Sequence, residues 1–214
     1  MSRNRHVPIP RQRIETLSDL VFGLALSIGA LSLIGKTPTT PADVQSELLG
    51  FGFSFIILIS VWLRYTRIMS MLPIETMTTM SVNIALLFLV SVEPYLFSLV
   101  SSLGAFSTLF NYASVVYSLD LAGLMGILAL FNHLIIKESK LIPAHLMARE
   151  RRTRNAFLVS ASLFAVSTLP QFASWTVGGT PLRVLFWYAP LVLMWSLRIP
   201  MIREGKKRWG KEAR

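Results

Sequence analysis

Apolar positions in this chain come in long blocks, and charged positions collect between them. Six blocks, near residues 14–35, 44–71, 74–99, 107–137, 156–176 and 182–202, each reach about the ~20 residues a helix needs to cross ~30 Å of hydrocarbon. The breaks carry residues that end helices. Gly35 to Asp43 is rich in Pro and Thr and closes on Asp43 as a capping residue; Leu72-Pro73 separates the second block from the third. Only Val100 to Phe106 joins the third to the fourth, so these two are expected to be antiparallel neighbours. Pro170 predicts a kink near the end of the fifth helix, and Pro190 interrupts the sixth. The pattern predicts an all-α membrane protein: one domain of six transmembrane helices over residues 1–214, with a basic tail at 203–214.

Composition agrees with this pattern. Of the 214 residues, 53% are hydrophobic and 15% charged, and the mean hydropathy is +0.56; a soluble domain of that make-up would expose large apolar patches. The first apolar block is full length and no small-residue cleavage site interrupts it, so no cleaved leader is expected. With no cysteine, the chain has neither disulfides nor thiolate metal sites.

A net charge of +10 would suggest nucleic acid in a soluble protein, but its placement gives another reading. Nineteen basic residues lie before the first block, after the second, between the fourth and fifth, and at the end; only Lys36 and Arg183 fall in the alternate segments. The positive-inside rule reads this asymmetry as both termini cytoplasmic, and it removes the argument for a nucleic-acid partner. The basic stretch from Lys137 to Asn155, with Arg149-Glu150-Arg151-Arg152, suits a helix at the lipid surface, with anionic lipid as its partner.

The first block holds the most specific pattern. After Arg13 and Asp19 come sixteen uncharged residues with two hydroxyls, Ser27 and Ser32. Leu24, Ser27 and Leu31 fall at i, i+3 and i+7, so they share one helix face and set a hydroxyl between two branched apolar side chains. Ala25, Gly29 and Ser32 form a small opposite face that would let another helix approach closely.

Arg13, the triplet Leu17-Ser18-Asp19 and Phe22 open this helix; Ser54-Phe55 and Trp62 lie in the second, and Asn83 leads an apolar run to Glu93-Pro94-Tyr95 in the third. Over about the first hundred residues this order resembles the transmembrane protein 175 family of potassium channels, in its single-repeat form. Leu17 stands where relatives carry an aromatic residue, and Leu63-Arg64 follows Trp62 where relatives carry paired histidines. The resemblance implies a homotetramer around a pore lined by the first helix, passing K+ and other monovalent cations. It implies hydrophobic constrictions at Leu24 and Leu31, a coordinating polar ring at Ser27, no cofactor, and the plasma membrane of a prokaryote. Arg13 and Asp19 would bridge helices or subunits at the cytoplasmic rim.

Other polar positions carry weaker signals. Trp62 and Tyr65 read as an aromatic belt, with Arg64 and Arg67 reaching to the headgroups. Asn83 reads as a helix-to-helix hydrogen bond rather than an ion contact. Glu93 lies where an outer vestibule or the headgroups would solvate it. Asp120, near mid-depth, needs a partner, water or a proton, and it motivates the alternative of a proton-coupled transporter. His133 is read as interfacial. Thr176-Val177-Gly178-Gly179 looks like a carbonyl filter, but no re-entrant pore helix fits before it, so the glycines are expected to make a turn. No nucleophile, base and metal-ligand cluster points to an enzyme.

Overall fold

A computed structural model describes residues 11–34, 37–72, 76–103, 107–137 and 144–196. Arg3, Arg5, Lys36, Pro73, Lys140, residues 197–202 of the expected sixth helix and the tail at 203–214 lie outside the described residues.

Four helices are long and apolar enough to cross a membrane: α1 (Arg11–Leu31, apolar from Arg13), α2 (Pro41–Met69), α3 (Met77–Ser102) and α4 (Thr108–Lys137). Their bounds lie within about four residues of the sequence expectation. At the head of α2 the cap is Thr40 rather than Asp43. Thr40 accepts from the Asp43 amide at 3.2 Å, and the Asp43 carboxylate accepts from the Thr40 amide at 2.8 Å, with Pro41 completing the first turn.

The last third departs from the expected layout. The fifth helix, expected at 156–176, is α5 (Ala144–Val166), so the basic run 149–154 belongs to the helix itself. It stops at Val166 because the ring of Pro170 excludes the next helical bond to that carbonyl; Pro170 then caps the short α6 (Gln171–Ser174) instead of kinking α5. Strands β1 (Thr176–Val177) and β2 (Thr180–Pro181) pair antiparallel around Gly178 and Gly179, whose φ values of 59° and 81° make the two-glycine turn. The expected sixth helix at 182–202 is divided into α7 (Leu182–Phe186) and α8 (Tyr188–Ser196), and Pro190 sits in the tolerated first turn of α8. Six full spans are therefore not seen among the described residues.

The central helix is α4, which buries side chains from Phe110 to Ile135 against α5 on one side and α3 on the other. On the far side of α3 sits α1, touching α2 as well, and α8 rests on α5. Aromatic rings link the layers: Phe97 to Tyr117 at 5.9 Å, Tyr117 to Trp187 at 4.9 Å and Phe53 to Tyr188 at 4.8 Å.

Arg183, read from sequence as one of two basic residues in the alternate loops, is buried. Its guanidinium donates to the carbonyls of Ser167 (2.8 Å), Thr168 (3.2 Å) and Leu169 (3.4 Å) just past the end of α5, and to the Asn111 carbonyl (3.2 Å) and Ser114 hydroxyl (2.7 Å) on α4. The terminal turn of α5 leaves carbonyls without helical partners, and a buried cation at that end satisfies them.

Candidate functional site

Helix α1 has two chemically distinct faces. Ile14, Ser18, Phe22, Ala25 and Gly29 are buried. A Cβ at Gly29 would lie 3.6 Å from the Phe51 ring and 4.0 Å from Pro94, so α1 runs close to its neighbours there. Leu17, Leu20, Leu24, Ser27 and Leu31 form the opposite stripe, where Leu24 is 61% exposed and Leu31 60%. The three positions singled out by spacing thus share an uncovered face of the chain, and Ala25 and Gly29 lie on the covered one.

The Ser27 hydroxyl donates its hydrogen to the Gly23 carbonyl one turn earlier, at 2.8 Å. That bond fixes the rotor and leaves the oxygen lone pairs as acceptors on the exposed stripe. At ~1.5 Å rise per residue, Ser27 stands ~4.5 Å along the axis from Leu24 and ~6 Å from Leu31.

What holds this stripe outward is the triplet before it. Ser18, fully buried, donates to the Ile14 carbonyl at 2.8 Å, accepts from the Tyr65 hydroxyl at 2.6 Å and lies 3.5 Å from the Asn83 amide nitrogen. One hydroxyl therefore joins α1, α2 and α3. Asp19 accepts from the Trp62 indole at 3.0 Å, and the Phe22 and Tyr65 rings meet at 5.5 Å. Leu17 faces out on the exposed stripe. Trp62 and Tyr65 are thus anchors for the triplet, not members of an aromatic belt; their i, i+3 spacing opposite the consecutive Ser18 and Asp19 was the available signal.

Arg13 is exposed, and among the described residues neither it nor Asp19 has an ion-pair partner in the chain. Six residues apart on one helix, the two point ~120° away from each other, so they cannot bridge within one copy.

The remaining intramembrane polar groups lie elsewhere. Asn83 is buried at the Ser18 junction. Glu93 is also fully buried, which corrects the expectation that it is solvated: its carboxylate accepts from Ser54 on α2 at 3.0 Å and from Tyr117 on α4 at 3.1 Å. Asp120 is buried on α4, and its Oδ2 has no hydrogen-bond partner. His133 is exposed, and no group of three metal-ligating side chains occurs among the described residues. Toward the C-terminal end of α2, Arg67 pairs with Glu150 of α5 at 3.0 Å rather than extending to headgroups.

Residues 13–94 match the family model for the endosomal/lysosomal potassium channel TMEM175. None of the curated proteins matches the chain in sequence. Among solved structures, the chain is similar to the crystal structure of a threonine-to-alanine variant of the potassium channel MtTMEM175 in complex with a nanobody–MBP fusion protein. The TM-score is 0.61 at 17% identity, over 95% of this chain and 100% of that one. The family match covers α1, α2 and most of α3, and the fold is similar to that of a solved TMEM175 potassium channel along nearly the whole length.

Proposed function

We propose that this protein is a potassium-permeable channel in which four copies of α1 surround the pore, with Leu24 and Leu31 as hydrophobic constrictions and Ser27 as a ring of oxygen ligands between them. The family is one of ion channels and the chain is not an enzyme. One observation carries the finer reading: the uncovered stripe of α1 sets an acceptor-only hydroxyl between two leucines while the opposite face is buried. A monovalent ion leaving water must find replacement oxygens, since desolvation in a low-dielectric medium costs tens of kcal/mol. Rings of leucine exclude ions by narrowness and by dewetting.

In this arrangement Arg13 of one copy reaches Asp19 of the next, because the two cannot meet within a chain. The basic asymmetry orients both termini to the cytoplasm, and the single-repeat form suits a prokaryotic plasma membrane. The partners are K+, other monovalent cations, membrane lipid and three further copies of the chain.

Single-channel recording of the purified protein in planar bilayers, under opposed potassium and sodium gradients, tests the reading. Unitary steps with a reversal potential displaced toward potassium are expected. The buried Asp120, with an unpartnered oxygen, supports the rival proton-coupled transporter; saturable uptake that depends on a proton gradient, without unitary steps, would establish that rival in place of the channel.

A further inference from the structure

Glu93 carries a carboxyl group into the interior of the bundle. It is fully buried on α3, and among the described residues it has no ion-pair partner. Two hydroxyls hold it instead. Ser54 of α2 stands 3.0 Å from each carboxyl oxygen, and Tyr117 of α4 donates to Oε1 at 3.1 Å. A polar group at such a place is costly unless it is hydrogen-bonded, and here its bonds join three helices at one level.

The next residue touches a fourth helix. A Cβ at Gly29 of α1 would lie 4.0 Å from the Pro94 Cβ and 3.6 Å from the ring of Phe51, which stands one turn before Ser54 on α2. Pro94 has no amide hydrogen, so α3 lacks a backbone bond to the Val90 carbonyl at this level, and the ties of the Glu93 side chain fix what the backbone does not. The C-terminal half of α1 therefore rests on a seat whose two parts, Phe51 and Pro94, are locked together by the contact of Ser54 with Glu93 and braced on α4 through Tyr117.

Gly29 lies midway along the axis between Ser27 and Leu31 and points ~180° away from their midpoint. Ser18, the other anchor of α1, sits eleven residues earlier, ~16 Å along the helix and beside Leu20. The two anchors thus act on different ends of the exposed stripe. A shift of the seat under Gly29 moves Ser27 and Leu31 directly and leaves Leu20 in place.

We propose that Glu93 is a positioning residue for the C-terminal half of the stripe: by tying α2 and α4 to α3 beside Pro94, it sets how far forward Ser27 and Leu31 stand. This rests on the reading of α1 as the pore helix, and Glu93 itself touches no ion.

The chain has no cysteine, so two sets of introduced cysteines test the inference in the full-length protein. Gly29→Cys with Pro94→Cys reports the seat alone, because a Cβ separation of 4.0 Å falls within the ~3.5–4.5 Å of a disulfide. Oxidation should close this cross-link readily, and about tenfold more slowly when Glu93→Ala is added. Leu20→Cys and Leu31→Cys, made singly, report the stripe through the rate at which silver blocks the current. Glu93→Ala should change the rate at 31 by about tenfold and leave the rate at 20 as it was. Glu93→Gln, whose amide oxygen accepts from Tyr117 while its nitrogen donates to Ser54, should restore both the cross-link and the rate at 31. Where Glu93→Ala does not fold, Ser54→Ala and Tyr117→Phe remove one donor apiece, and either should slow the cross-link. An unchanged cross-link, or equal changes at 20 and 31, would overturn the role of Glu93. A slowed cross-link with no block at 20 or 31 in the otherwise native chain would instead sink the pore reading, and with it the tie between Glu93 and the ion path.

Discussion

The Tyr65 hydroxyl donates to the Ser18 hydroxyl at 2.6 Å, tying α2 to α1 at a point with no access to water. Because Ser18 passes its own hydrogen to Ile14, its oxygen is free to accept from α2 and α3. The rotational setting of α1, and with it the direction of the leucine stripe, hangs on this one oxygen.

Ser18→Ala should therefore destabilise the protein by about 1–3 kcal/mol, the cost of leaving the buried Tyr65 donor unpaired. Tyr65→Phe should cost less, near ~1 kcal/mol, because it removes the stranded group itself. The double variant should be less destabilised than the sum of the two. Thermal unfolding in mild detergent measures all three, and a neutral Ser18→Ala would show that the bond is unimportant.

Asp19→Asn separates two roles. The amide oxygen can still accept from Trp62, so the bond between α1 and α2 survives, but a charged bridge to Arg13 of another copy is lost. Tetramer yield by native mass spectrometry should fall, by about the 1.5–3 kcal/mol of a charge-assisted bond, with ion preference unchanged in surviving channels. Exchanging the charges at both positions should restore assembly. Full yield with altered selectivity would move Asp19 into the conduction path.

Leu24→Ala and Leu31→Ala should raise conductance or leak, each by widening a constriction. Ser27→Ala removes an oxygen from each subunit with little change of bore, so preference for potassium over sodium should drop. In this cysteine-free chain, single cysteines at 24, 27 and 31 should be blocked by silver or thiol reagents, while Ala25→Cys and Gly29→Cys should be protected. Reactivity at 25 and 29 instead would mean that the pore lies along another face.

Arg183→Met should be among the most damaging single changes outside α1, since it strands the Ser167 and Thr168 carbonyls and removes a bond that joins them to Ser114 on α4. The loss should amount to several kcal/mol, because bonds to a charged donor are worth about 1.5–3 kcal/mol each. Arg183→Lys should recover only part of it, as an ammonium cannot span acceptors on both α4 and the end of α5. A melting temperature unchanged in either variant would contradict the role assigned to the guanidinium.

Helices α1 to α4 were legible because their apolar runs are uninterrupted and their ends carry Pro, Thr and short polar breaks. The two-glycine turn and the helix-joining role of Asn83 could be read from residue type and position. The start of α5 could not, because Arg149 to Arg154 lowers the hydropathy of a segment whose helix is anchored by a contact 83 residues away, Arg67 to Glu150. Glu93 and Arg183 were misread for the same reason. Sequence shows a charge, while the Ser54, Tyr117, Ser114 and Ser167 groups that let it be buried come from other elements and leave no local pattern. The exposed leucines of α1 and the small covered face at Ala25 and Gly29 were recognisable by spacing, although only the fold reveals that Phe22 also takes the covered side.

The hydrogen that Ser27 gives to Gly23 also bears on the sign of the permeating charge. In the proposed pore four hydroxyls converge, each with its proton already committed to its own backbone, so the ring behaves as four small carbonyls and has no donor to turn toward chloride. Anions would meet electron pairs on every side at the narrowest wet point of the path. Rejection of anions would then need no charged residue in the pore, only a helix that has used up its serine hydrogens before any ion arrives.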